Sequence, residues 1–544
     1  MLTDSSGLSP FERLLTLFTR IRPGEGRSTF LFFLHGFLLL FSYLIVKALR
    51  EAFILTDFSA EVRAYGVAVI ALVLMFLVPA YGAVRRRLDG ARLLQAVTLF
   101  FALNMLGFAA AAYFGISTSF TFFVWVSIFG VMITAQFWAF AADTFNLKSG
   151  QRLFPVIMMG ANLGGLAGAK FAAVAVGSLQ PVGLMVVATF VLAATLVVAN
   201  PARAAVPEGS RALSPEHGDK PAKLLGGIEL VMRDRYLVLV ALFVVLLNWI
   251  NSTGEFVLAD LVTRDADAQV AASAGAITKG AVITAFYGDF QFWVTLIGLL
   301  IQLLLVARVY RWVGVQGALV VLPIVAALGY GLIVFVPIFS IIRLVKIGEN
   351  SVNYSLMNTT RHALFLPVDR DAKYEGKTAI DTFFWRVGDL IQAGVVFAGL
   401  HWLDWTASNF ALLNLALALV WIGLAFAIGR EFRALAQKNS FNVPPEVGQP
   451  IPDLMYAPGQ PFRHFVPEDA FRDADPGDVL NLSARLAGGQ PLPRWVQFDS
   501  RRRAFLGTCP HGYSEEVTIE VVASDVDGTQ AASIFVMRRA LQAD

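Results

Sequence analysis

The sequence predicts an all-α polytopic membrane protein of about twelve transmembrane helices, followed by a small all-β domain. Long apolar runs recur between residues 28 and 428, and after about Lys438 the chain turns polar, proline-rich and strand-like. Its 544 residues are 56% hydrophobic, 12% aromatic and only 15% charged, too apolar for an ordinary soluble domain. One cysteine, Cys509, leaves no intramolecular disulfide and no multi-cysteine metal site. The net charge of +3 is small, so charge is informative by position.

The runs fall at 28–55, 63–84, 92–114, 118–143, 152–177, 181–199, 236–261, 287–308, 315–334, 336–361, 377–400 and 407–428. Each is near the ~20 residues needed to cross a bilayer. The first exceeds the ~7–15-residue core of a signal peptide and lacks a small-residue cleavage site, so it reads as a retained span. Ahead of it, in segment 1–27, Ser9-Pro10-Phe11-Glu12 reads as N-cap, N1 proline and N3 glutamate. The helix so opened carries Phe11, Leu14, Leu15 and Phe18 on one side and is expected to lie on the inner leaflet.

Basic clusters at Arg85-Arg86-Arg87, Lys148 with Arg152, Arg203 through Lys223, Arg308 with Arg311, Arg361 through Lys377 and Arg430 through Lys438 share the side of the N-terminus. The opposite loops carry only a few cations such as Arg63, Arg264 and Lys279. The positive-inside rule then places both termini in the cytoplasm. The longest loop, 201–234, separates a six-helix half at 28–200 from another at 235–429. This layout resembles the major facilitator architecture, in which a solute binds near the midplane between two halves that rock.

The tenth run is the least apolar, containing Arg343, Lys346, Glu349, Asn350, Asn353, Asn358 and Arg361. Counting inward from Phe335 at ~1.5 Å per residue puts Lys346 about 15 Å deep, in mid-membrane. A Lys or Arg there costs at least ~2.5–3.5 kcal/mol unless it faces protein or a water-filled cavity. Arg343, Lys346, Asn350 and Asn353 share a helical face with Glu349 beside it, which suits the wall of a site for an anionic solute.

Other spans carry polar groups with two readings each. Tyr43, Lys47 and Arg50 share a face, with Glu51 a turn beyond Lys47; they either snorkel to the interface or join the site. Asn248, Asn251, Ser252 and Glu255 suit interhelical hydrogen bonds or a solute contact. Asp289, in Tyr287-Gly288-Asp289-Phe290, reads as a cap or gate at the outer mouth of its span, and Lys170 as a cation near the outer interface. Asp381, Trp385, Asp389 and Gln392 line the eleventh run with Arg386 offset, which suggests an Asp389–Arg pair. Gly160, Gly164 and Gly168 have the spacing that lets two helices approach closely. His35 is a lone intramembrane histidine, more often a hydrogen-bonding group than a proton relay. The chain has no G-x-x-x-x-G-K-[ST], H-E-x-x-H or G-x-S-x-G, so the reading is not an enzyme, with no cofactor and no nucleic-acid partner.

The stretch Glu349-Asn-Ser-Val-Asn-Tyr-Ser-Leu-Met-Asn-Thr-Thr-Arg-His-Ala-Leu-Phe-Leu-Pro367, followed by Lys373-Tyr374, Lys377 and Asp381-Thr382-Phe383, resembles the tenth-to-eleventh-helix signature of bacterial ATP/ADP translocase-like nucleotide transporters. Lys47-Ala-Leu-Arg-Glu51, Phe137-Trp138 with Ala142-Asp143, Gly150-Gln-Arg-Leu-Phe154 and Tyr287-Gly-Asp-Phe290 are similar to that family in the same order, so the resemblance covers roughly 10–435. It implies nucleotide exchange across a bacterial inner membrane, with Lys47, Arg50, Glu51, Arg343, Lys346 and Glu349 handling phosphates, and Asn353 and Arg386 beside them. Asn251 and Glu255 join this substrate-binding set by position. A nucleoside triphosphate needs several convergent cations, since Arg forks onto phosphate and Lys acts as a point charge.

Beyond a Pro/Gly-rich linker at 430–461, residues 462–544 show strand alternation at Val479-Leu-Asn-Leu-Ser-Ala-Arg-Leu and Thr518-Ile-Glu-Val-Val-Ala-Ser-Asp. The length suits a small β-sandwich. Ala470-Phe-Arg-Asp-Ala-Asp-Pro-Gly-Asp-Val-Leu, Leu492-Pro-Arg-Trp-Val-Gln-Phe-Asp499, Phe505-Leu-Gly-Thr508 and Ala523-Ser-Asp-Val-Asp-Gly528 resemble a dystroglycan-type cadherin-like, Ig-class domain. The resemblance brings a protein or carbohydrate partner as an expectation. Asp473, Asp475 and Asp478 are candidate Ca²⁺ ligands, with turn-forming aspartates the commoner explanation. Two other functions stay open: a carrier of another organic anion coupled to protons through Asp143, Glu255 or Glu349, and a transporter-derived sensor or scaffold that works through the β-domain.

Overall fold

The computed structural model describes residues 9, 12, 16, 19, 21–85, 90–211, 224–274, 276–336, 338–369, 372–440, 444–473, 480–511, 516–525 and 528–540. The chain divides into two compact units, Met1–Phe432 and Arg433–Asp544.

Backbone in hydrocarbon has no water to bond, so each apolar run closes into a helix. In chain order these are α1 (Glu25–Asp57), α2 (Ala60–Arg85), α3 (Gly90–Tyr113), α4 (Ser119–Thr144), α5 (147–179), α6 (181–204), α7 (Arg235–Ala272), α8 (Lys279–Leu304), α9 (Val306–Phe335), α10 (339–363), α11 (372–401) and α12 (Ala407–Ser440). Among the described residues ten helical stretches are long and apolar enough to span. Dividing Leu147–Ala204 at Gln180, and adding α10, whose charges keep it out of an apolar count, brings the number to the expected twelve. Gln180 lies at φ 56°, just before Pro181, and separates α5 from α6. Polar caps fix several starts: Asn146 accepts from Ser149 N, Asp234 from Leu237 N and Thr278 from Ala281 N.

Two spans depart from the α ladder. In α10, Phe339–Val352 passes through a π turn, Asn353–Met357, into Asn358–Ala363. In α11, π turns at Ala372–Gly376 and Ile380–Phe384 precede Trp385–His401. The expected ninth span, 315–334, begins earlier, because a helical segment carrying Arg308 and Arg311 runs into it across a kink at Gly314, φ 67°. These two arginines are therefore helical and not in a loop.

The small-residue stripe of α5 packs on α1. A Cβ on Gly160, Gly164 or Gly168 would meet the carbonyl oxygens of Phe33, Phe37 or Phe41 at 2.4, 2.0 and 2.3 Å. Links between the two six-helix halves gather at the end remote from the N-terminal start of α1. There Lys170 of α5 pairs with Asp289 of α8 at 3.0 Å, and His401 Nε2 lies 2.7 Å from Glu61 Oε1. A Cβ on Gly288 would meet Ala169 O and Ala173 N at 2.8 Å, so α8 and α5 touch backbone to backbone.

At the near end, Ser9 and Glu12 form the predicted reciprocal cap: Glu12 N donates to Ser9 Oγ at 3.2 Å and Ser9 N to Glu12 Oε2 at 2.8 Å. Glu12 Oε1 also accepts from Gly24 N and Gly26 N, pinning the segment to the start of α1. Phe11, Leu14, Leu15 and Phe18 lie outside the described residues.

The second unit is a two-sheet β structure. One sheet has the order β2 (Leu454–Tyr456), β9 (Gln530–Arg539), β8 (Val517–Ser524), β5 (Asn481–Leu486); the other β3 (Pro461–Phe465), β7 (Ala504–Thr508), β6 (Val496–Asp499). A small ladder joins β1 (Glu446–Val447) to β4 (Phe471–Arg472). Alternation along β8 turns Val517, Ile519 and Val521 inward against Tyr456, Phe505, Phe535 and Met537, with Cys509 in the same core. Both expected strands are present, as β5 and β8. Asp475 and Asp478 lie outside the described residues. Among the described residues no group of three His, Cys, Asp or Glu is placed to hold a metal.

Candidate functional site

The polar residues of α1, α2, α7, α8 and α10 converge on a cavity of about 160 Å³ between the halves. From α1 come Lys47, Arg50 and Glu51, one turn apart, so all three face inward and none snorkels. From α7 come Asn251 and Glu255, again one turn apart, while Tyr287 and Gln291 of α8 and Tyr354 of α10 close the walls.

Arg63 of α2 completes the lattice and corrects the sequence reading that left it in an outer loop. It is buried, with Nε 2.5 Å from Glu51 Oε2 and Nη2 3.9 Å from Glu255 Oε2 in the other half. Arg50 pairs with Glu51 as well, donates to Ser127 Oγ at 2.9 Å, and lies over the Phe123 ring.

Behind this cavity Lys346, with its side chain fully buried, lies 3.0 Å from Glu349 Oε2 and 3.7 Å from Glu255 Oε1. Its ammonium also donates to Asn251 Oδ1 at 3.2 Å. Glu349 accepts from Tyr330 OH at 3.0 Å, and Glu255 from Asn350 Nδ2 at 2.8 Å. A buried Lys or Glu is tolerated only with such partners.

Four cations, Lys47, Arg50, Arg63 and Lys346, thus face three carboxylates, Glu51, Glu255 and Glu349, an excess of one positive charge. The excess sits at Lys47. Its ammonium donates to Gln291 Oε1 at 3.1 Å and lies 5.8 Å from the Tyr354 ring centre. Among the described residues no carboxylate forms an ion pair with it.

Not every sequence candidate reaches this cavity. Arg343 turns instead to Asp289 Oδ2 at 2.5 Å, and Asp289 also holds Lys170. Asp289 therefore lies inside α8, which Thr278 caps, and it bridges three helices where the sequence reading had it at the mouth of the span. Asn353 and Arg386 belong to a second cavity of about 370 Å³. Arg386 makes the expected pair with Asp389 at 3.3 Å, and Asp389 accepts from Ser252 Oγ at 2.9 Å. Asn248 Nδ2 donates to Trp385 O at 2.8 Å. The polar face of α7 thus divides: Asn248 and Ser252 join helices, while Asn251 and Glu255 line the central cavity. His35 is buried and stacked on Phe137 at 5.3 Å, away from the cavity residues.

The lattice thus holds four cations and three carboxylates at the interface of two six-helix halves. Residues 173–432 match the TLC ATP/ADP transporter family model. A second model, Putative Ig domain, matches 444–539. ADP,ATP carrier protein 1 of Chlamydia pneumoniae is 25% identical over 323 residues, 51% of this chain and 60% of that protein. The protein of the same name from Chlamydia trachomatis serovar D is 23% identical over 372 residues, 58% of this chain and 65% of its own. In both alignments the chain spans less than two thirds of the relative's length. Among solved structures, the nucleoside transporter NupG in a mutant form aligns with a TM-score of 0.53 at 14% identity, over 75% of this chain and 99% of that one. An auto-inhibited POT family peptide transporter aligns with a TM-score of 0.51 at 13% identity, over 76% and 97%. At such identities the likeness establishes the fold: the TLC region lies within a twelve-helix, six-plus-six major facilitator bundle. The protein is a multi-pass membrane protein with a transporter fold.

Sequence reasoning missed Arg63, Tyr287, Gln291, Tyr330 and Tyr354. Arg63 follows a loop by only a few residues, and the tyrosines are ordinary in apolar spans. The one available signal was that Arg63 falls three helical turns beyond Glu51 across a two-residue connection, Phe58-Ser59.

Proposed function

We propose that this protein carries nucleotides across a bacterial inner membrane by alternating access, exchanging ATP- and ADP-type anions at the central lattice. The observation that carries the reading is Lys47, a half-buried cation that pairs with no carboxylate among the described residues and faces a cavity whose other cations are held by glutamates. Within the lattice a phosphate binds Lys47 first and then competes with Glu51 and Glu255 for Arg50, Arg63 and Lys346. The carboxylates keep the empty site folded and, by reclaiming the cations, release the anion.

At about 160 Å³ the cavity is below the ~300–1,000 Å³ of ordinary ligand pockets, so a nucleotide enters only when the halves part. The links remote from the termini favour opening on the terminus side. The basic clusters on that side support cytoplasmic termini. The β unit serves as an appended module for a protein or carbohydrate partner.

The test is uptake of labelled ATP and ADP into proteoliposomes preloaded with each candidate counter-solute, for the parent protein, Lys47→Ala and Lys346→Ala. Saturable counter-exchange lost in Lys47→Ala supports the reading. A folded preparation that moves no nucleotide overturns it.

A further inference from the structure

The second cavity repeats the design of the first one. α10 lends it Asn353, Tyr354, Asn358 and Arg361, and α11 lends Asp381, Trp385 and Arg386. Arg361 Nη2 lies 3.0 Å from Asp381 Oδ1, with its guanidinium 4.4 Å from the Trp385 ring centre. Arg386 is held by Asp389 at 3.3 Å. Here each of the two cations has a carboxylate that an arriving anion can replace, and the planar guanidinium is the group that forks onto phosphate.

Each wall contains a π turn. Asn353 and Tyr354 lie in one, Asn353–Met357, and Asp381 lies in another, Ile380–Phe384. Such turns insert a residue into an α-helix and recur at functional sites. The two cavities meet at Tyr354, which lines both and is 54% exposed. Its ring lies under Lys47, and it shares the second cavity with Asn353 and Asn358. Arg361 is 15 residues beyond Lys346, about 22 Å along α10 toward the terminus side, away from the Lys170–Asp289 and His401–Glu61 links.

We propose that Arg361 and Arg386 form a second anion station, on the terminus side of the central cavity and partitioned from it by Tyr354, which holds the phosphate groups of an organic phosphate on its way to or from Lys47. The proposal rests on the anion-carrier reading above and adds to it a site, an order and a side. A solute entering from the terminus side meets the arginines before the lattice; one entering from the other side does not.

Asn358 is exposed, uncharged and lines the cavity, so replacing it tests the station without orphaning a buried charge. ADP counter-exchange is measured in proteoliposomes of defined orientation, with KM read separately from each face. Asn358→Asp is expected to raise KM on the terminus side by about 5–10-fold and Asn358→Lys to lower it, with the opposite face changed less than about twofold. The double variant Arg386→Gln with Asp389→Asn, which removes the pair together, raises the same KM and leaves the other. Equal shifts on both faces, or no shift in a folded, exchanging protein, overturn the station. A parent protein that exchanges no nucleotide overturns the carrier reading instead, and that result is visible before any variant is made.

Discussion

Replacing Glu255 by Gln removes one of three carboxylates from the central lattice and nearly keeps its shape. Glu255 lies 3.9 Å from Arg63 across the two halves and 3.7 Å from Lys346, and accepts from Asn350 at 2.8 Å, a bond that the Gln amide oxygen can still accept. Its side chain is 18% exposed to the cavity, so the folding cost falls below the ~3–5 kcal/mol of a fully buried pair broken from one side. The lattice excess rises from one positive charge to two. For an assumed separation of roughly 8 Å, a phosphate charge seated by Lys47 is relieved of roughly 2 kcal/mol of repulsion from position 255 at an effective dielectric near 20. That corresponds to about thirtyfold tighter anion binding. Release slows for the same reason, and the Arg63 link between halves is lost, so exchange turnover falls while affinity rises. Equilibrium binding of labelled ADP to the detergent-solubilised protein reads the first effect, and proteoliposome counter-exchange reads the second. Weaker binding with an unchanged unfolding temperature would refute the argument, because Glu255 would then be a solute ligand and not a competitor of the solute.

Two further outcomes concern stability. Gly164→Ala drives a Cβ to 2.0 Å from Phe37 O, forcing α1 and α5 apart. It should cost ~3 kcal/mol or more and lower the unfolding temperature in detergent, whereas Gly177→Ala, with open space around it, should not. Glu12 is pushed up by burial, but bonds from Ser9, Gly24 and Gly26 outweigh this and hold its carboxyl below the ordinary value of 4.5. A depressed folded value means its stabilisation is complete above pH 4.5 and fades as pH falls below it. Hydrogen exchange at Gly24 and Gly26, corrected for intrinsic rates, should therefore quicken relative to α4 between pH 5 and 3.5, and the same scan on Glu12→Gln should be flat.

How far the site was legible follows from how local its signals are. The charged face of α10 stands out because burying each charge is costly, so Lys346 and Glu349 announce a partner without naming it. Lys47, Arg50 and Glu51 were legible as a face, but their inward direction depends on α2 and α8, which no local window contains. Arg63 was misplaced because its partners are Glu51 on one helix and Glu255 on another. Regular helical spacing also grouped Asn353 with Arg343 and Lys346, yet a π turn starts at Asn353 and Asp289 draws Arg343 aside. The sandwich was readable from period-two alternation, since β8 keeps the same register of inward residues throughout.

The polarity of α10 also bears on how the chain enters the membrane. Arg343, Lys346 and Glu349 would each oppose lateral transfer of an isolated α10 into lipid by ~2.5–3.5 kcal/mol. Their counter-charges and hydrogen-bond partners, Glu255 and Asn251 on α7 and Asp289 on α8, are synthesised earlier in the chain. α10 must therefore leave the insertion machinery against helices already waiting for it. A lesion in α7 or α8 that removes one of these partners is then expected to surface first as failed insertion of α10, a segment that it does not itself contain, read by glycosylation or protease mapping of the loop after α10.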